Sequence, residues 1–260
     1  MQCRIVRADP SGNITLFVLD PVEAAERPAL AERLMKALDS GIEQVGFACP
    51  AQEGADGRLE MAGGEFCGNA TRAFGTFLAK QAGKSGAVHM RVEASGCDRV
   101  VGVDADLEQG TARAEMPLPK LVRKIDEDGI RGTLVHLGGI AHLVTEDVAP
   151  DEAFLERAES VFSQFPDLDA YGVIFLWGGK MTPLVKVPAA HTLVWEGSCG
   201  SGTVAAAVAQ SQDLADGEFV RTYDQPAGSI VATVIRQKGD VTAAYIGGSV
   251  RFDEIETVEI

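Results

Sequence analysis

One short pattern occurs twice, about half a chain apart, and it constrains everything around it. The first copy is Glu65-Phe66-Cys67-Gly68-Asn69-Ala70-Thr71 and the second is Gly197-Ser198-Cys199-Gly200-Ser201-Gly202-Thr203. Each reads Cys-Gly-polar-small-Thr, with a strand-like run before it and an alanine-rich helical run after it. The chain therefore reads as a duplicated half, each half presenting one thiol at a helix start. Two such thiols serving one site make an acid/base pair.

The chemistry follows from the helix end. The first turn of a helix has unpaired backbone N–H groups and a partial positive charge. Such an end favours a thiolate and binds a carboxylate. Gly68 and Gly200 let the backbone approach a ligand with no Cβ in the way, and Asn69 and Ser201 add a donor each. Proton transfer at a carbon asks for one thiolate and one thiol, with donors for the charge that develops. Cys67 and Cys199 are therefore the candidate catalytic residues. Glu65 and Glu196, just ahead of them, either tune the thiols, hold a substrate amine or are solvated charges. Cys3, Cys49 and Cys97 read as buried small hydrophobes. His89, His136, His142 and His191 have no metal spacing, although His142 follows a glycine-rich turn and could line a cleft.

Around the two patterns, strands outnumber helices. Strands are predicted at Cys3–Ala8 and Thr15–Leu19 as a hairpin, then at Gln44–Ala48, Arg58–Met61, Val88–Ala94, Arg99–Val103 and Ala112–Met116. Apolar spacing predicts helices over Ala29–Leu38 and from Cys67 to Gln81, and Glu53–Gly57 reads as turn. Pro117-Leu118-Pro119-Lys120 interrupts regular structure and reads as a linker. Beyond it, strands are predicted at Thr133–Leu137, Leu143–Thr145, Val173–Trp177, Leu184–Val187, Val220–Tyr223, Ser229–Ile235, Val241–Ile246 and Ser249–Phe252, and Thr192–Trp195 leads into the second motif. A helix is predicted over Asp151–Phe162, and an Ala/Val helix buried on all sides over Thr203–Val208. This is an α+β chain. The expected domains are residues 1–116 with Cys67 and 117–248 with Cys199, the segment 249–260 returning to the first.

Composition excludes several classes. With 260 residues, 46% hydrophobic and 23% charged, the chain can bury a substantial core. A formal charge of -15 disfavours nucleic acid and anionic membrane. No apolar run is long enough to span a bilayer, and the first residues read as a strand rather than a signal peptide. Five cysteines without regular spacing argue against a disulfide framework and fit a reducing cytoplasm. No metal and no cofactor are expected.

The two cysteine patterns resemble those of the diaminopimelate epimerase superfamily, the cofactor-independent two-cysteine racemases. Pro10-Ser11-Gly12-Asn13-Ile14-Thr15, Glu43-Gln44-Val45-Gly46-Phe47, Ser95-Gly96-Cys97, Trp195-Glu196 and Gln225-Pro226-Ala227-Gly228-Ser229-Ile230 extend the resemblance toward the histidine racemases of opine-metallophore pathways. The resemblance implies two pseudo-twofold-related lobes, each a sheet rolled around a central helix. It implies that Cys67 and Cys199 are base and acid, and that Asn13, Gln44, Gly68, Asn69, Gly200 and Ser201 contact substrate. The epimerase's Glu-Arg loop and the asparagine of its Gly-Asn-Pro-His stretch are missing here, where Trp195-Glu196-Gly197-Ser198 and Gly138-Gly139-Ile140-Ala141-His142 stand instead. Those groups serve the distal end of diaminopimelate. Arg72, in contrast, agrees with the epimerase pattern.

The expected reaction is inversion of the α-carbon of an amino acid, histidine first, with diaminopimelate or another amino acid as the alternative. Glu43, beside Gln44, is expected to accept a hydrogen bond from the imidazole, with Trp195 as a wall for the ring and Glu196 near the substrate. A small amino acid is the expected partner, and a homodimer is compatible with the sequence. A thiol redox protein is the rival from another class, and the lack of a CxxC argues against it.

Overall fold

The computed structural model describes residues 2–38, 41–52 and 54–260. Glu53, where the turn over Glu53–Gly57 begins, lies outside the described residues. Internal contacts divide the chain into two units, Met1–Glu115 with Gly247–Ile260, and Met116–Ile246.

The first unit opens with β1 (Gln2–Asp9), β2 (Thr15–Val18), α1 (Arg27–Leu38), β3 (Gln44–Cys49) and β4 (Gly57–Met61). It continues with α2 (Gly68–Gln81), β5 (Ala87–Ala94), β6 (Val101–Asp106) and β7 (Thr111–Glu115). The second contains β8 (Leu121–Glu127), β9 (Ile130–His136), β10 (Ile140–Glu146), α3 (Glu152–Phe162), β11 (Ala170–Trp177), β12 (Lys180–Val187) and β13 (Thr192–Trp195). α4 (Gly200–Ser211), β14 (Gly217–Asp224), β15 (Ser229–Gln237) and β16 (Asp240–Ser249) complete it. β17 (Arg251–Phe252) and β18 (Glu256–Glu259) then return to the first unit.

Within the first unit the strands lie side by side in the order β7-β6-β5-β4-β3-β2-β1, and both β17 and β18 pair with β1. β2 and β3 are parallel, as are β4 and β5. A parallel step needs a crossover, and α1 and α2 supply the two. α2 is buried along nearly its whole length, from Gly68 to Phe77 and again at Ala79. Small residues allow this close approach: a Cβ on Gly75 would meet the Val103 side chain at 2.9 Å. Phe74 anchors the helix edge-on against Phe17, with ring centroids 5.5 Å apart. Full burial of such a ring stabilises by roughly 1.5–3 kcal/mol.

The second unit has the order β13-β12-β11-β10-β9-β8, with α3 crossing between the parallel pair β10 and β11. α3 is amphipathic: Phe154, Leu155, Ala158, Val161 and Phe162 are buried, and Asp151 caps it by accepting from Ala153 N at 3.1 Å. α4 has no polar face in its first turns. Gly202 to Val208 are all buried, as expected of a helix enclosed on every side.

Four readings from the sequence need correction. Leu121–Glu127 is a strand that the sequence reading passes over, because its apolar and charged residues come in pairs rather than alternating and only Ile125 is buried at this edge of the sheet. Glu256–Glu259, also at an edge, carries two glutamates in four residues. β6 begins at Val101 rather than Arg99, and Ser249 belongs to β16 rather than to the strand after it.

Candidate active site

Cys67 is the N-cap of α2. Its extended backbone (φ −122°, ψ 109°) turns the thiol back over the first turn, and Sγ accepts from Ala70 N at 3.4 Å. Parallel pairing of β2 and β3 sets Thr15 opposite Gln44, which brings two more donors and acceptors to the sulfur. Gln44 Nε2 lies 3.2 Å from Cys67 Sγ, 2.7 Å from Asn13 Oδ1 and 2.8 Å from Thr15 Oγ1. Asn13 Oδ1 is 3.7 Å from the sulfur, and Asn13 Nδ2 donates to Glu43 Oε2 at 2.6 Å. Asn13, Glu43 and Gln44 thus form one hydrogen-bonded line ending on Cys67. Gly68 and Asn69 are the next two residues, both buried.

Cys199 caps α4 in the same way (φ −109°, ψ 111°), with Sγ accepting from Gly202 N at 3.3 Å. Ser201 Oγ lies 3.5 Å from this sulfur and 2.9 Å from Nε2 of His142. His142 is fully buried on β10, and its other ring nitrogen has no hydrogen-bond partner among the described residues. Glu196 hydrogen-bonds the Cys199 thiol, and Gly200 opens the helix. A Cβ on Gly202 would fall 2.5 Å from Ile174 Cδ1 and 3.1 Å from Met181 Cε, so a larger residue there would have to push the Ile174 side chain aside.

In each unit a hairpin tip steadies the cysteine loop. Ser95, after β5, donates from Oγ to Glu65 O at 2.8 Å and accepts from Met61 N at 2.9 Å. Gly96 follows with φ +67°, its Cα so near the loop that a Cβ would lie 2.4 Å from Phe66 N. Gln225, after β14, accepts from Cys199 N at 2.7 Å and donates to Thr203 Oγ1 at 2.9 Å. Thr203 Oγ1 in turn donates to Cys199 O at 2.5 Å, as Thr71 Oγ1 does to Cys67 O at 2.8 Å.

The electrostatics of the two thiols differ. Burial pushes both upward. At Cys67 the donors Ala70 N–H and Gln44 NH2 oppose that rise, and Glu65 adds to it. At Cys199 the nearby Glu196 charge and its hydrogen bond reinforce the rise, which carries this thiol well above the ordinary range. Burial holds the His142 imidazole down to about 3, so it is neutral near pH 7. Glu43 is raised by partial burial of its carboxyl, with Asn13 opposing.

Trp195 is a correction. Its indole N–H donates to Glu152 Oε1 of α3 at 2.8 Å, and its ring lies on Phe175, 6.0 Å between centroids. Ile174 and Phe175 are neighbours on a strand, so they face opposite sides. Trp195 therefore sits on the α3 side of the sheet, away from the side on which Gly202 and Cys199 pack, and does not wall the Cys199 site. Sequence reasoning assigned no task to Thr15, Ser95 or Gln225, and it named His142 without a partner. Ser95 and Gln225 stand in the conspicuous Ser-Gly-Cys and Gln-Pro-Ala-Gly runs, which were the available signal.

A family model described as the histidine racemase CntK N-terminal domain matches residues 2–254. The chain belongs to this family. A histidine racemase from Fusobacterium nucleatum subsp. nucleatum is 31% identical over 212 residues, 77% of each chain. One from Staphylococcus aureus is 28% identical over 267 residues, covering 92% of this chain and 94% of the relative. Among solved structures, a hydroxyproline epimerase from Agrobacterium vitis superposes with a TM-score of 0.65 at 13% identity, covering 99% and 92%. That likeness fixes the α+β fold. This member of the histidine racemase family is an isomerase of the racemase type. Among the described residues no helix is long and apolar enough to cross a membrane, and no cluster of metal-ligating side chains occurs.

Proposed function

We propose that the protein interconverts L- and D-histidine by a two-base mechanism in which Cys67 and Cys199 are the acid and base, without a cofactor. The observation that carries the mechanism is the repeated cap: each cysteine heads a buried helix and receives the amide of the third residue on. The family match over residues 2–254 supports histidine as substrate.

In this mechanism one sulfur removes the α-proton while the other delivers a proton to the opposite face. The donors around Cys67 favour its thiolate, whereas Glu196 holds the proton on Cys199. Cys67 is therefore the thiol that gives up its proton more readily and takes the base role first, with Cys199 as the acid, and turnover in one direction exchanges the roles. The substrate carboxylate is held at the helix starts by Gly68, Asn69, Gly200 and Ser201, where backbone N–H groups point outward. Those donors also offset the negative charge that grows on the carboxylate as the proton leaves. Asn13 and Gln44 orient the Cys67 side, and Glu43 accepts from the imidazole. His142, neutral at working pH, orients the Ser201 hydroxyl and moves no proton itself. A cytoplasmic site suits two free thiols.

The test is exchange of the α-proton with deuterated water, followed by proton NMR over a panel of amino acids. Histidine should lose its α-signal far faster than diaminopimelate. Faster loss from diaminopimelate would overturn the substrate while leaving the thiol chemistry standing.

A further inference from the structure

Arg72 is among the largest fully buried side chains in the molecule, with no exposed surface. It stands on α2, one turn and a residue beyond Cys67. An arginine buried this deeply is ordinarily held against a carboxylate, yet every acceptor that Arg72 contacts is neutral. Nε donates to Asn69 Oδ1 at 3.2 Å. Nη1 donates to the backbone carbonyls of Gly248 at 3.1 Å and Ser249 at 3.0 Å. Nη2 donates to Ser11 Oγ at 3.0 Å, and Ser11 Oγ donates on to Ser249 O at 3.3 Å. The planar fork is thus spread over three separate segments: the start of α2, the turn between β1 and β2, and the end of β16.

Two of those segments reach the thiol. Asn69 is the second residue of the helix that Cys67 caps. With its carbonyl oxygen committed to Arg72, the NH2 end of its carboxamide is the end left to donate. Ser11 sits in a left-handed conformation (φ +60°), a cost for a residue other than glycine, two positions before Asn13. The Arg72 bond is one of the contacts that hold it there.

We propose that Arg72 is a positioning residue for the Cys67 half of the site, fixing the Asn69 carboxamide and the Ser11–Asn13 turn, and placing a permanent positive charge behind the thiol. The inference rests on the reading of Cys67 as a reacting thiol. Among the described residues, the charged groups tied to that sulfur are Glu65 in the loop before it, Glu43 through Asn13 on the β3 side and Arg72 on its own helix, with Asp9 at the end of β1 acting on Arg72 and Glu43. Arg72 is the one cation in this set. Lysine cannot replace it, because a single ammonium has no fork to span three segments.

The experiment compares Arg72→Lys, Arg72→Gln and Ser11→Ala. Racemisation gives kcat and KM, and iodoacetamide alkylation of Cys67 against pH, read by peptide mass in a Cys199→Ser background, gives the thiol titration. Arg72→Lys and Arg72→Gln should each raise KM by about tenfold or more. The alkylation midpoint should move upward in Arg72→Gln and much less in Arg72→Lys. Ser11→Ala removes one bond of the set in a protein that keeps the guanidinium, and should raise KM about two- to threefold. Wild-type KM in both Arg72→Lys and Ser11→Ala, with an unmoved midpoint in Arg72→Gln, would overturn the proposal and leave Arg72 as a packing residue. Alkylation needs no turnover, so a failure of histidine as substrate would be told apart from a failure of this inference.

Discussion

β1, β2, α1, β3, β4, α2 and β5 to β7 in the first unit are answered in the same order by β9, β10, α3, β11, β12, α4 and β14 to β16 in the second. The pairing senses agree as well: antiparallel, parallel, antiparallel through the first four strands of each. The difference lies beside the cysteine. In the first unit β4 pairs with β5 across the α2 crossover. In the second, an extra strand, β13, takes that edge of β12 and runs straight to Cys199. The repeated cap is then surrounded by different chemistry. Cys67 meets one carboxamide that donates, Gln44, and the carbonyl oxygen of another, Asn13, while Cys199 meets a carboxylate that accepts and a hydroxyl backed by a neutral imidazole. One backbone device, duplicated, yields two thiols of unequal acidity, both raised by burial and Cys199 raised further by Glu196, which suits a reaction with one acid and one base.

The largest test of that asymmetry is removal of each sulfur. Cys67→Ser and Cys199→Ser should each lower racemisation by about 10³-fold or more, since a hydroxyl is a poor base at neutral pH. In the two remaining single-thiol proteins, alkylation should start at lower pH for Cys67 than for Cys199. Equal alkylation profiles would break the comparison.

A second test uses the buried imidazole beside the Cys199 cap, which among the described residues has no counterpart hydrogen-bonded beside Cys67. His142 is held down to about 3 from an ordinary 6.5. Between those values the unfolded chain binds a proton that the folded one does not, so folding stability falls as pH drops from 6.5 toward 3. The whole window is worth a few kcal/mol. His142→Gln should flatten that acid limb in urea titrations at successive pH values, whatever it does to stability at pH 7.

A third compares the third residue after each cysteine. Gly202→Ala drives a methyl into Ile174 and should cost about 1–3 kcal/mol in denaturant unfolding. Ala70→Gly, the reciprocal change, should cost about 1 kcal/mol, the ordinary helix penalty of glycine. Equal losses would mean that the two caps are packed alike. The smallest effect is at Glu43. Glu43→Gln should weaken histidine turnover by about tenfold, near 1.4 kcal/mol, with Cys67 alkylation little changed, because Asn13 and Gln44 stand between Glu43 and the sulfur.

The two caps were legible because the pattern is local. Strand, cysteine, glycine and small-residue helix follow one another along the chain, and the central helices declare themselves by their alanines and valines. Most of the surroundings are not local. Gln44 reaches Cys67 only because β2 and β3 pair in parallel with Thr15 opposite Gln44, and no periodicity in either segment states that register. Ser95, Gln225 and Arg72 act across long sequence separations through hydrogen bonds rather than through apolar spacing. Edge strands escaped for a related reason. Leu121–Glu127 and Glu256–Glu259 bury little, so their residues answer to solvent and carry charge.

The return of residues 247–260 to the first unit has a consequence for synthesis. The second unit is continuous in sequence, so all of its residues are present once Ile246 has emerged from the ribosome. The first has its first hundred residues long before, but must wait for the partners of β1 and for the carbonyls of Gly248 and Ser249 that Arg72 holds. The unit that is translated first is therefore finished last. Until then Arg72 lacks two of its acceptors and one edge of β1 is bare, so a stalled or clipped chain would fail first at the Cys67 site rather than at Cys199.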